Sequence, residues 1–327
     1  MSTVEGQLPL EGMPRRLYAC TPSRLNTWLD CRRRYRFTYL DRPQPSKGPA
    51  WAHNSVGASV HNALAGWWRE PYERRTPLTA AILLTNGWIG EGFRDAEQSG
   101  RWLERARDLV SGYVATLDPS DDPVGVERTV ATRTKVIAVS GRIDRLDRRG
   151  DELVVVDYKT GRRPLTQDDA RSSLALAVYA VAASTMMRTP CRSVELHHLP
   201  TGEIVEWRHT DESLARHLLR AEDLATEAAE ADERYREVVG APAKSRAAGG
   251  RSAATTARAR SGTAAGGEWP AAPGERQVVG PAPVPAEIDQ LFAPSPGPIC
   301  SWCDFRRHCP EGQAAAPDRN PWDGLAE

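Results

Sequence analysis

Two short stretches hold the residue types that could hydrolyse a bond: Gly141-Arg142-Ile143-Asp144 and Val156-Asp157-Tyr158-Lys159-Thr160-Gly161. Between them Gly150-Asp151, flanked by Arg149 and Glu152, suits a two-residue II′ hairpin turn. Pairing Arg149 with Glu152 sets Asp144 opposite Asp157, where Cβ atoms lie about 5 Å apart and like charges repel. A divalent cation between them would offset that repulsion. Lys159, two residues beyond Asp157, turns to the same face, so a metal, a lysine and a water would make a hydrolytic site. The plainer alternative is the solvated face of an amphipathic hairpin, because charges at spacing two are common on exposed strands. Against it, Leu153 and Val155 share the face of Asp157 and Lys159, while Val154 and Val156 make the other face apolar. That pattern reads as a strand covered on both sides.

A second constellation lies near the C-terminus, where Cys300-x₂-Cys303-x₅-Cys309 offers three thiolates. Tetrahedral zinc and a cubane iron–sulfur cluster each usually take four. Six cysteines in 327 residues are too few for a disulfide scaffold. His308 is too close to Cys309 to be an easy partner. Cys31, among polar and basic residues, is the candidate fourth ligand and Cys20 the alternative; Cys191 reads as a small buried residue at a strand start. His61 alone, on a helix with an apolar stripe, would more often be a satisfied core residue. The hairpin carboxylates need further ligands, however, and a histidine joining carboxylate oxygens suits Mn²⁺ as well as Mg²⁺.

The elements that must carry these residues follow from periodicity. Thr21-Pro22-Ser23 offers an N-cap, and Leu25, Trp28, Leu29, Tyr35 and Tyr39 recur at near-helical spacing. A second helix is expected over about 55–69, and residues 78–117 read as helical with an interruption near 87–100. The period then changes, with strands expected at about 124–132, 134–140, 141–148 and 152–159. An almost uniformly apolar helix over 167–188 argues burial against the sheet. Strands near 193–199 and 203–208 are joined by Pro200-Thr201-Gly202, and a charged amphipathic helix fills about 211–238. The organisation is thus a loose lead (1–20), a helical part with Cys31 and His61 (21–120), an α/β core (121–239), a linker (240–288) and a cysteine-bearing tail (289–327). The linker is rich in Ala, Gly, Pro, Ser and Arg, and such a composition cannot bury enough surface to offset its ordering entropy.

The net charge is zero, so affinity for nucleic acid would have to come from local patches. Nine Lys or Arg between Arg15 and Lys47 face only Asp30 and Asp41, whereas residues 211–237 are acidic. No run of eighteen apolar residues occurs and the start lacks an apolar signal core, so a cytoplasmic protein with no membrane partner is expected. No Gly-x₄-Gly-Lys-Ser/Thr is present, so any helicase would be a separate chain.

Taken in order, Ser23-x₄-Trp28-x₂-Cys31-x₃-Tyr35-x-Phe37, Gly57-x₃-His61, Gly141-Arg142-Ile143-Asp144, Val156-Asp157-Tyr158-Lys159-Thr160-Gly161 and Cys300-x₂-Cys303-x₅-Cys309 resemble the RecB-like branch of the PD-(D/E)XK nuclease superfamily. In particular the set is similar to its iron–sulfur members, the AddB-type nuclease domain and the small CRISPR-associated exonucleases. The resemblance implies an α/β fold, a restriction-endonuclease-like core with a central mixed β-sheet flanked by helices. It implies Mg²⁺ or Mn²⁺ held by His61, Asp144, Asp157 and the Tyr158 carbonyl, with Asp144, Asp157 and Lys159 catalytic. It also implies a [4Fe–4S] cluster on Cys31, Cys300, Cys303 and Cys309. DNA, as single-stranded or forked ends, is the implied substrate, in repair or recombination, with Arg32, Arg33, Arg34, Arg36 and Tyr179 as DNA contacts. The sequence departs from the family's Gln-x₃-Tyr motif, since Ala175 stands four residues before Tyr179. That departure keeps alive a nuclease-fold DNA-binding protein of weak or no activity. Glu127 is expected to match an acidic position ahead of the catalytic strand, and a zinc-stabilised interaction module is the remaining alternative.

Overall fold

The computed structural model of the chain describes residues 17–240 and 278–325. Six strands form one mixed sheet: β1 (Tyr18–Cys20), β2 (Gly125–Arg133), β3 (Ile137–Arg149), β4 (Glu152–Lys159), β5 (Cys191–His198) and β6 (Glu203–Arg208). Its order is β1-β3-β4-β5-β6, with β2 along the other edge of β3. The β3–β4 hairpin has the register read from the sequence, Arg149 opposite Glu152 and Arg145 opposite Val156. Gly150 has φ 59° while Asp151 is not at positive φ, as a II′ turn requires. The two strands expected at 134–140 and 141–148 are one, β3. Its chain direction does not reverse at Gly141, and the turn lies earlier, where Thr134 N–H donates to Ile137 O.

Ten helices flank the sheet among the described residues: α1 (Pro22–Asp30), α2 (Arg32–Tyr39), α3 (Ala52–Arg69), α4 (Pro77–Asn86), α5 (Ala96–Val114), α6 (Gln167–Arg171), α7 (Leu174–Met187), α8 (Asp211–Val239), α9 (Ala286–Leu291) and α10 (Pro310–Ala315). The single helix expected from Thr21 to Tyr39 is broken at Cys31, whose φ of −166° is extended. A second break falls at Ser172-Ser173, where the Ser173 hydroxyl caps α7 by accepting Leu176 N–H.

β4 is buried on both faces, as its unbroken apolar run demands. Val154, Val156 and Tyr158 pack beneath α3 and α5, against Val60, Leu64, Trp67 and Trp68. Leu153 and Val155 pack beneath α7, against Ile143, Leu176 and Ala180. A third core joins α1, α2, α8 and α9 through Leu25, Trp28, Tyr35, Leu224, Ile288 and Phe292. Alanines at 221, 225, 228 and 231 line the buried face of α8, letting that long helix sit close to its neighbours.

Residues 241–277 of the expected linker lie outside the described residues. Its last part is packed: Val279 exchanges hydrogen bonds with Ser46, and Ile288 is fully buried. The apolar Val284 and Ile288 differ from the polar composition that argued for a linker, and their burial explains the correction. No helix among the described residues is long and apolar enough to cross a membrane.

Candidate functional site

Asp144 is the first residue of β3 past the hydrogen-bonded ladder with β4, and Asp157 occupies the matching place on β4. The ladder ends because the Asp144 carboxylate replaces the backbone partner: its Oδ2 accepts Tyr158 N–H at 2.9 Å. The other oxygen lies 3.2 Å from His61 Nδ1. An ionised carboxylate can only accept, so in this contact the imidazole donates from Nδ1. His61 reaches the strand from α3, which approaches closely because Gly57, one turn earlier, has no side chain to press on Thr160 Oγ1. Burial alone would lower the His61 pKa; the hydrogen bond and charge of Asp144, joined by Asp157 and Glu127, outweigh it and raise it.

Glu127 completes a trio. Its neighbours pair across to β3 as Val126 with Arg145 and Arg128 with Ile143, which puts Glu127 across from Asp144 with no ladder pair of its own. It has φ 49°, a left-handed conformation rare for a non-glycine residue, and strain of this kind clusters at functional sites. The ligand atoms of His61, Glu127 and Asp144 lie within 4.8 Å of one another, the one such group among the described residues. Two carboxylates and an imidazole are a donor set that fits a divalent cation of the Mg²⁺/Mn²⁺ kind. Arg142 Nε, 2.7 Å from Glu127 Oε2, holds that carboxylate in place.

Asp157 stands outside this trio. Its Oδ2 is 2.5 Å from Lys159 Nζ, an ion pair on the α7 face of β4. Burial pushes the Asp157 carboxyl up; Lys159 opposes the rise and Asp144 adds to it. The Tyr158 side chain is buried on the opposite face, where its hydroxyl accepts Trp68 Nε1–H at 3.2 Å.

His61, Glu127 and Asp144 open onto a cleft of about 700 Å³, whose wall also includes Tyr179, Arg142, Arg162 and, from the C-terminal segment, Gly324 and Leu325. Tyr179 lies directly over β3 because a Cβ at Gly141 would overlap its ring. This close approach explains the glycine of the Gly-Arg-Ile-Asp motif. Lys159 faces a second hollow, of about 410 Å³, and Gly161 borders both. The loop through Gly161 is fixed by His198, whose Nε2 is 2.7 Å from Gly161 O and whose Nδ1 is 2.7 Å from Thr201 Oγ1. A carbonyl only accepts, so His198 donates through Nε2 and accepts the Thr201 hydroxyl.

The structure also brings Cys31, Cys300, Cys303 and Cys309 around one small cavity of about 30 Å³. Cys20 is buried in the third core and Cys191 in the core beneath α7, so neither belongs to this group. Burial pushes the thiols of Cys20 and Cys191 up to about 11 and about 12. Cys31 and Cys309 are the N-caps of α2 and α10, their sulfurs accepting Arg34 N–H and Gly312 N–H. Burial nonetheless pushes the Cys309 thiol up, with the Gly312 N–H pulling against the rise. Gly312 is tight against this group, since an added Cβ would stand 3.3 Å from Cys309 Sγ and 3.5 Å from Cys300 Sγ.

The basic run on α2 is not one exposed face. Arg33 pairs with Asp289 and Glu311, and Arg36 with Asp41 and Asp289, and both arginines are buried. This corrects the expectation that these two meet DNA: their guanidinium groups are spent tying α2 to α9 and α10. Arg32, paired with Glu227, and Arg34, paired with Asp30, are partly exposed. Arg162 is the basic cleft residue that sequence reasoning passed over, although it directly follows the Lys-Thr-Gly signal. Glu127 was legible only through the family, because no local spacing links it to Asp144.

A mixed sheet flanked by helices, with carboxylates at the end of a central hairpin and a lysine two residues on, defines an α/β fold of the restriction-endonuclease type. The chain belongs to the PD-(D/E)XK nuclease superfamily, whose model matches residues 19–310. No curated protein matches it. Among solved structures, one from Eubacterium rectale named "Putative exonuclease" is similar over 56% of this chain and 84% of that chain, at 10% identity and a TM-score of 0.29. So distant a likeness carries no argument about this chain.

Proposed function

We propose that this nuclease-superfamily chain is a metal-dependent deoxyribonuclease, cutting single-stranded or forked DNA ends in repair or recombination. The observation that carries the reading is the trio of His61, Glu127 and Asp144, assembled from three separate elements beside the Asp157–Lys159 pair. A divalent cation on that trio would supply positive charge to a phosphate oxygen and a bound water of lowered pKa. Tyr158 N–H orients the Asp144 carboxylate, and the His61 proton holds its other oxygen. Lys159 offers ammonium hydrogens to the charge that develops on phosphorus-bound oxygens. Asp157 keeps that ammonium turned toward the strand end. Arg142 and Arg162 add cationic wall to the cleft, and affinity for a polyanion through such groups falls steeply with salt.

The reading extends to the cysteines, as holders of a structural [4Fe–4S] cluster. Four thiols on one cavity, two of them at helix N-termini, fit such a group. The cluster would cross-link α2 to the segment beyond residue 300. Ala175 alone favours the rival reading, a nuclease fold that binds DNA without cutting it; a helicase partner would be a separate chain.

Digestion of end-labelled single- and double-stranded DNA with Mn²⁺ tests the reading, run beside Lys159→Ala and Asp144→Asn. Cutting by the wild type and loss in both variants is expected; cutting that survives both would sink the site. Iron and sulfide analysis of anaerobically purified protein should give about four irons per chain, and bound zinc in their place would overturn the cluster.

A further inference from the structure

The Asp157–Lys159 pair lines the second hollow, which shares Gly161 with the large cleft and has its own polar lining. Its about 410 Å³ falls within the range of about 300–1,000 Å³ that small-ligand sites span. The space exists because α7 presents only a methyl group, Ala175, one turn before the Tyr179 that covers β3. Around it, nearly every polar side chain is already engaged. Arg163 and Asp169 bind each other through two hydrogen bonds. The Ser173 hydroxyl caps α7, both His198 nitrogens are hydrogen-bonded, and Lys159 pairs with Asp157. Asn26, exposed on α1, makes no hydrogen bond among the described residues although it lines the same hollow.

A primary amide carries two N–H donors and a carbonyl. Beside a lysine ammonium, in a hollow that shares Gly161 with the cleft, those donors are available to a phosphate of a strand that runs from the cleft past Gly161. We propose that the hollow is a second nucleotide subsite, in which Asn26 holds the phosphate next to the one that is cut. The proposal rests on the nuclease reading and deepens it, giving the substrate a path from the cleft, across Lys159, to α1. It also accounts for Ala175: the amide absent from α7 is supplied from α1 across the same space. Because Asn26 contacts phosphate, its contribution is independent of base sequence.

The test compares Asn26→Ala, Asn26→Asp, Ala175→Gln and the Asn26→Ala/Ala175→Gln double variant in Mn²⁺-dependent cleavage of oligo-dT and of a mixed-sequence single strand. Losing one hydrogen bond to a charged group corresponds to about a ten-fold rise in KM. Asn26→Ala should show that rise on both substrates with thermal unfolding unchanged, and Asn26→Asp, which sets a negative charge against phosphate, should show a larger one. Ala175→Gln in the Asn26→Ala background should recover most of the loss. Wild-type KM and kcat in both Asn26 variants, beside an active wild type and an inactive Lys159→Ala, would overturn the subsite and leave the nuclease reading standing. A wild type as inactive as Lys159→Ala would overturn the nuclease reading, and the subsite with it.

Discussion

The carboxylate cleft and the cysteine group are built in opposite ways. Asp144, Asp157 and Lys159 lie within sixteen residues of one another on a hairpin, so their placement follows from strand register and one tight turn. Cys31 meets Cys300, Cys303 and Cys309 across some 270 residues of chain, and only long-range packing holds them together. Ion pairs carry much of that packing, from the buried Arg33 and Arg36 to the buried Asp41 and the half-exposed Asp289 and Glu311. The cleft is therefore robust in position and open in access. The cysteine end is closed, and it depends on charges that must stay paired. The segments meet where Lys47 and Trp51 contact Asp304 and Ala52 N–H donates to Pro321 O, at the start of the helix that carries His61.

Substitutions that remove chemistry from one region or cohesion from the other can break this contrast. Lys159→Ala should lower cleavage by about 10²–10³-fold, the scale of losing a transition-state charge stabiliser, with the urea midpoint unchanged. A fall in stability of the same rank as in the cysteine-end variants would erase the distinction. Arg36→Met should do the reverse, leaving Asp41 buried without its cation at a cost of about 3–5 kcal/mol, read from urea unfolding.

Between these lies a titration belonging to neither region. His209, at the β6–α8 junction, bonds Ser213 Oγ through Nδ1, while its buried Nε2 has no partner among the described residues. Burial, aided by the charge of His217, pushes its pKa down to about 4. A lowered histidine pKa means the neutral form is the one the fold accepts. Its stabilisation is complete above the ordinary value near 6.5 and is lost as pH falls from there toward about 4, by at most about 3 kcal/mol. His209→Phe should flatten that part of the stability profile, and an unaltered slope would refute the assignment. The smallest effect is expected for Gly312→Ala, whose methyl presses on Cys309 and Cys300. Overpacking of about 1 kcal/mol, with lower iron content and unchanged cleavage per folded molecule, would sharpen the separation of the two regions.

Much of the cleft was legible because its signals are local. The II′ turn at Gly150-Asp151 and the two-sided apolar run of β4 fix the register, and register fixes which residues oppose each other. The triple-cysteine spacing was equally plain. The same local reasoning misread Arg33 and Arg36, because a run of like charge says nothing of the acids that α9 and α10 bring to it. It could not see Glu127 or His198, whose partners come from other elements, and it divided β3 at a glycine that is there to admit Tyr179.

The sequence by itself determined the hairpin, its opposed carboxylates and lysine, and the membership of three cysteines in one group. Periodicity and short spacings constrain atoms only a few residues apart. The tertiary structure alone decided that Glu127 comes within reach of His61 and Asp144, that Cys31 rather than Cys20 meets the other cysteines, and that Asn26 lines the hollow beside Lys159. Those placements depend on how helices pack on the sheet, where burial and charge pairing between distant segments set the geometry.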